Sequence, residues 1–221
     1  MIRNQTRTCL SLPLFINQRN RHLIFILLFA AAALLYLTSN RYHITAPRYL
    51  TMSRIDSAIP FIPGTIWIYL SDYILFFVLY LLSKNLLTVH KLFYSIIFLQ
   101  GVSVAIFLVW PTTYPRGLFP MPENLDVVTY YIFDSLRQTD TAANCCPSLH
   151  ISCVFMTVLI SRDERRKFFP LFLLWGTAIA ISTLTTKQHY LIDIIAGLAL
   201  GVFSWVIFHR CIKYRPLNRD Q

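Results

Sequence analysis

The chain has 221 residues, a net charge of +10 and a composition that is 56% hydrophobic and only 14% charged. That is too apolar for an ordinary soluble domain. The basic residues are divided among short segments, which argues against a nucleic-acid partner and reads as attraction to membrane lipids with anionic headgroups. No polar linker divides the chain, so one membrane domain is expected.

Residues 1–21 are polar and basic and read as a cytoplasmic tail, flexible or forming a short surface helix. Six apolar runs follow, about as long as the roughly 20 residues that carry a helix across a bilayer, the fourth being the shortest and ended by the charge cluster from Arg162. They span His22 to Ser39, Gly64 to Ser83, Leu92 to Trp110, Ser148 to Ser161, Phe168 to Thr186 and His189 to Phe208. Long continuous runs without alternation predict helices rather than barrel strands. The expected fold is all-α, a polytopic bundle of six transmembrane helices over residues 22–210, with a cytoplasmic tail over 211–221. The first run reads as a retained anchor, because Leu37-Thr38-Ser39-Asn40 is a poor cleavage site for a signal peptide.

The connections carry their own signals. Pro60 and Pro63 resist helix continuation and predict an extended stretch before the second span. Asp72 lies within that span, where an acidic residue marks either a functional group or a partner inside the bundle. The segment from Pro111 to Pro147 is long enough for a lid or binding loop. Within it, apolar residues between Asp126 and Gln138 fall at the spacing of a short amphipathic helix lying on the membrane. Of the five cysteines, Cys145 and Cys146 are adjacent, a strained geometry for a bridge. Neither a disulfide nor a metal site is expected, since no spaced set of ligands is present.

With the N-terminus cytoplasmic, Arg41, Arg48, Arg54, Arg116, Arg137 and Lys187 fall on the far side, and the other fourteen of the twenty Lys and Arg residues are cytoplasmic. The positive-inside asymmetry supports this topology, with both termini cytoplasmic. A bacterial inner membrane, with the periplasm on the far side, suits so small a chain without appended domains.

Two strings then stand out, both on the far side: Pro147-Ser148-Leu149-His150 and His189-Tyr190-Leu191-Ile192-Asp193. Asn144 or a neighbour can cap the fourth helix, with Pro147 in its first turn and the free amides of that turn favouring an anion. His150 lies beside this cradle; taken alone it reads equally as an interfacial histidine reaching for water. His189 and Asp193, spaced i,i+4, share a helix face, so the carboxylate can hold the Nδ1 proton and leave Nε2 as a nucleophile. The plain alternative is a polar pair that packs helices together. Arg116 can grip phosphate oxygens with its planar fork, and Lys187 can add a second charge or simply reach for the interface.

These strings resemble the second and third signatures of the type 2 phosphatidic acid phosphatase (PAP2) superfamily, a membrane branch of the haloperoxidase-like fold. The second is Pro-Ser-Gly-His or a variant, met by Pro147, Ser148, Leu149 and His150. The third is Ser-Arg, five residues, His, three residues, Asp, met by Ser182, His189 and Asp193. The resemblance implies attack by His189 on phosphorus, orientation by Asp193, protonation of the leaving oxygen by His150, and phosphate binding by Arg116 and Ser148; Lys187 and Ser182 are further candidates for substrate binding. It implies no cofactor or metal, and a phospholipid or other lipid phosphate as substrate. Two family cations are replaced: Thr183 stands at the arginine of the third signature and Val109 at the lysine of the first. Leu149 and the His-Tyr-Leu-Ile-Asp string are similar instead to the inositol phosphorylceramide synthase-like subgroup. The expectation is therefore a lipid phosphatase, with headgroup phosphotransfer as the alternative enzyme and a non-catalytic transporter or structural membrane protein as the third reading.

Overall fold

A computed structural model of the chain describes residues 10–216. The outer parts of both expected tails, residues 1–9 and 217–221, lie outside the described residues. The fold is mostly helical. In chain order it comprises β1 (Ser11–Leu14), α1 (Arg21–Arg41), β2 (Arg48–Tyr49), α2 (Arg54–Ala58), α3 (Ile66–Leu70), α4 (Asp72–Leu82), α5 (Leu86–Val109), β3 (Thr112–Thr113), α6 (Val127–Thr139), α7 (Leu149–Glu164), α8 (Phe169–Thr185), α9 (Leu191–Val206) and β4 (Lys213–Pro216).

Four helical stretches among the described residues are long and apolar enough to cross a membrane: Arg21–Arg41, Pro63–Leu82, Leu86–Val109 and Leu191–Cys211. Two expected spans fall short of that length. Helix α8 has 17 residues, and α7 has 16, with Arg162, Asp163 and Glu164 in its last turn. The expected second span corresponds to Pro63–Leu82, with irregularities inside it. A 3-10 turn over Pro63–Thr65 leads into α3, and the chain breaks at Ser71 before α4. There Ser71 Oγ donates to Ile68 O at 2.6 Å and accepts from Trp175 Nε1 at 2.8 Å, so a side chain inserted beside the backbone marks the break.

Hydrogen bonds define two ends of the bundle. At one end β1 pairs with β4 in parallel, Arg21 donates to the carbonyls of Tyr80 and Ser83, and Thr88 donates to Glu164. Residues 11–14 are thus a strand rather than a loose tail or helix. Ile16 N donates to His90 Nε2 and Tyr94 donates to Pro13 O, which hold the segment against α5. At the other end β2 pairs with β3, Thr112 bridges Asn144, Ile62 N donates to Thr185 O, and Ser148 N donates to Asp193 O. The site residues gather at this second end.

The loops at that end follow local rules. Ser53 and Asp56 form a capping box that starts α2, a turn of helix inside the stretch expected to be extended. Asp126 caps α6, and the helix presents Val127, Val128, Tyr130 and Tyr131 outward, as an amphipathic surface helix would. The core between α4, α5, α7 and α8 is filled by Leu75, Leu79, Leu92, Leu99, Met156, Ile160 and Ile179. Helices α7 and α9 touch almost backbone to backbone. A Cβ on Gly197 would stand 2.5 Å from Ser148 O, and one on Gly201 would stand 2.6 Å from Ser152 O. Only glycine permits that approach, which is the small-xxx-small geometry of membrane helices.

Candidate functional site

Helix α7 begins at Leu149, later than expected. Its N-cap is Ser148, whose Oγ accepts from Ile151 N at 3.3 Å. Pro147 therefore precedes the cap instead of occupying the first turn. Asn144 does not cap the helix; it packs, buried, against Ser39 at the end of α1.

Helix α9 also begins later, with Tyr190 at its N-cap and His189 outside it. The His189–Asp193 pair is therefore made across the helix start and not along one helix face. His189 Nδ1 lies 3.4 Å from Asp193 Oδ2, and the same oxygen accepts from Tyr190 N at 2.9 Å. Asp193 is fully buried. Its carboxylate both caps the helix and faces the imidazole. On the other side of the ring, His189 Nε2 lies 3.1 Å from Ser148 Oγ. An ionised Asp193 can only accept, so Nδ1 carries the proton, and the serine hydroxyl donates to the lone pair on Nε2. This is the tautomer in which Nε2 can act as a nucleophile.

The end of α8 sets the position of His189. Gln188 N and His189 N both donate to Thr183 O, at 3.1 and 3.3 Å, and Lys187 N donates to Leu184 O. This closes the helix in a Schellman turn. Lys187 occupies the left-handed position with φ 53°, where glycine is usual. Its Nζ donates to Asp56 O at 2.7 Å and Ile59 O at 2.5 Å. Asp56 Oδ1 in turn accepts from Leu191 N at 2.7 Å. Burial pushes the Lys187 ammonium below its ordinary range, and the nearby Asp56 opposes that shift. The side chain thus joins the segment after α2 to the loop bearing His189, and its ammonium is engaged with carbonyls. Ser182 is buried one turn earlier, with Oγ donating to Ile179 O at 2.6 Å and no hydrogen bond to His189. Thr183, at the family's arginine position, likewise donates within its own helix, to Ala180 O.

Arg116 follows β3 in a single 3-10 turn. Its guanidinium donates to the carbonyls of Arg137 and Asp140, and to Gln188 Oε1 at 3.2 Å. It therefore stands one residue from His189, held by the loop between α5 and α7. Asp140 anchors that loop to α1, accepting from Tyr36 and Asn40; burial raises its carboxyl above the usual range, against the pull of Arg116. The Cys146 thiol is pushed up to about 12 by burial and by the adjacent Asp193 carboxylate, so it remains protonated.

His150 lies on the first turn of α7, two residues after the Ser148 that contacts His189. Its Nδ1 is 3.3 Å from Asp72 Oδ2, and its ring stacks on Tyr69 with centroids 4.3 Å apart and planes at 15°. Nε2 is buried without a hydrogen-bond partner. Sequence reasoning singled out Asp72 and His150 but did not pair them, and passed over Tyr69, Gln188 and the two glycines. The Gly197-xxx-Gly201 spacing was the one signal available for any of these.

No group of three or more metal-ligating side chains converges among the described residues. What the arrangement can do chemically is displace at phosphorus: a nucleophilic imidazole, a carboxylate to hold it, a guanidinium nearby, and a second imidazole to move a proton.

In comparisons with known proteins, no curated protein matches the chain. The family model described as the PAP2 superfamily matches residues 64–207, a stretch that contains α4, α5, α7, α8 and α9 with both histidines. The chain belongs to the PAP2 superfamily, whose members are typically phosphatases of phosphate esters.

Proposed function

We propose that this protein is an integral-membrane lipid phosphatase working through a phosphohistidine. The observation that carries the reading is the His189 imidazole held between Asp193 and Ser148, with Nε2 as its acceptor atom. In the first step Nε2 attacks phosphorus, the P–O bond to the lipid breaks, and His150 delivers a proton to the leaving oxygen. Asp193 stabilises the cationic ring that results. In the second step water attacks the phosphohistidine, the P–N bond breaks, and His150 takes the proton back. Arg116, the hydroxyl of Ser148 and the free amides at the start of α7 neutralise charge on the phosphoryl oxygens. Six passes, both termini cytoplasmic and the site at the far surface complete the picture. It is supported by the positive-inside asymmetry and by the pairing of β1 with β4 at the end away from the site.

One observation favours a second reading, headgroup transfer between lipids. With Val109 and Thr183 in place of two cations, and the Lys187 ammonium tied to carbonyls, the site suits a monoanionic phosphodiester better than a dianionic monoester. The step is the same, with a lipid hydroxyl in place of water.

The test is turnover of phospholipids labelled in the headgroup by purified protein in vesicles. Free phosphate is expected from the wild type, and a loss of about 10³-fold or more in His189→Ala, the scale on which removing a nucleophile acts. A labelled new lipid without free phosphate would select the transfer reading. Neither product would leave a non-catalytic membrane protein.

A further inference from the structure

The phosphatase reading needs His150 to give and regain a proton, and the structure contains a group placed to control that. We infer that Asp72 is the positioning residue of His150, so that the site contains two carboxylate–imidazole pairs, one for the nucleophile and one for the proton. The inference rests on the proposed function and deepens it.

The geometry is specific. Asp72 Oδ2 lies 3.3 Å from His150 Nδ1, while the face of the ring is covered by Tyr69. Asp72 is the first residue of α4, directly after the break at Ser71. An acidic side chain inside a span is costly unless it has a partner, and the partner here is an imidazole. With Nδ1–H donated to Asp72, the lone pair of Nε2 is left facing buried space with no protein partner.

The proton balance follows. To act as the acid, His150 must carry both ring protons, with the Asp72 carboxylate accepting from Nδ1. As the lipid P–O bond breaks, the Nε2 proton passes to the leaving oxygen, and His150 becomes neutral with Nδ1–H still held by Asp72. When the acceptor hydroxyl attacks the phosphohistidine, its proton passes to Nε2 and the imidazolium is restored. Asp72 touches neither the substrate nor the reacting atoms. It fixes the tautomer and stabilises the cation, as a carboxylate behind a catalytic imidazole does.

The test compares two leaving groups. Dioleoyl phosphatidate releases a poor one, which needs a proton, whereas p-nitrophenyl phosphate releases a good one, which does not. In rapid-quench experiments Asp72→Asn is expected to slow the diacylglycerol burst by about 100-fold, the scale of a lost general acid. The nitrophenol burst keeps its amplitude and slows by no more than about 3-fold, because that step bypasses the acid. The later steady state is slow for both, since the second step still needs His150. The nitrophenol amplitude counts folded sites; if it is lost, Asp72→Glu is read in the same way. Equal slowing of both bursts, or of neither, would overturn the inference while leaving the phosphatase reading intact. A wild type that releases neither diacylglycerol nor nitrophenol would remove both.

Discussion

Asp193 serves two structures with one oxygen. Oδ2 caps α9 through Tyr190 N and faces Nδ1 of His189. An amide there can keep the cap only by turning its oxygen to Tyr190, which leaves its nitrogen elsewhere and the ring without an anion. Asp193→Asn is therefore expected to cut turnover by about 10³-fold with little loss of folded protein, measured by phosphate release against thermal unfolding in detergent. Lys187 poses the opposite case. Lys187→Met removes the donor to two loop carbonyls and should lower stability by about 1–3 kcal/mol, measured by the same unfolding assay. Both residues were visible in the sequence, with different success. The His-x3-Asp spacing pointed to a pair that the fold does bring together, although the ring lies outside the helix. A lysine two residues before a histidine reads from the sequence equally as a ligand and as an interface lysine. Its left-handed backbone and its reach to Asp56 O and Ile59 O come from contacts with a segment far earlier in the chain. The Asp72–His150 pair was out of reach for the same reason: its members sit on separate helices.

The close crossing of α7 and α9 places Ser148 against His189, because Gly197 lies under Ser148 O and Gly201 under Ser152 O. Gly197→Val should push the helices apart and open the Ser148–His189 contact. The expectation is loss of most activity and destabilisation by about 1–3 kcal/mol, the cost of overpacking. Gly101, in α5, is the contrasting case: a methyl group added there would meet nothing within 4 Å, so Gly101→Ala should be neutral or stabilising by up to about 1 kcal/mol. A melting comparison of the two variants checks the argument. Helix existence followed readily from apolar runs, and the amphipathic helix predicted between Asp126 and Gln138 is α6. Helix starts did not follow. Ser148 is itself a favoured cap and holds Ile151 N, while Tyr190, a residue with no cap preference, starts α9 through the bond from its N–H to Asp193.

On the scale of the whole molecule, one end is tied by β1–β4 and by Arg21, and the other holds the site. Among the described residues four helical stretches have the full length for a bilayer; the early end of α7 is legible in the charges from Arg162, whereas the irregularity at Ser71 and the short α8 are hidden within apolar composition. The proposed topology predicts that single cysteines at Ser11 and Lys213, in a chain freed of its own cysteines, react from the same face of sealed vesicles. A cysteine at Glu123 should react only from the opposite face.

The account as a whole depends on covalent catalysis by His189. The most direct measurement is quenching in alkaline detergent during turnover of phosphatidate carrying a radiolabelled phosphoryl group, followed by analysis of the protein. The account predicts label bound through an acid-labile, alkali-stable bond to the peptide containing His189, and none in His189→Ala. Release of labelled phosphate at the wild-type rate by His189→Ala would contradict it.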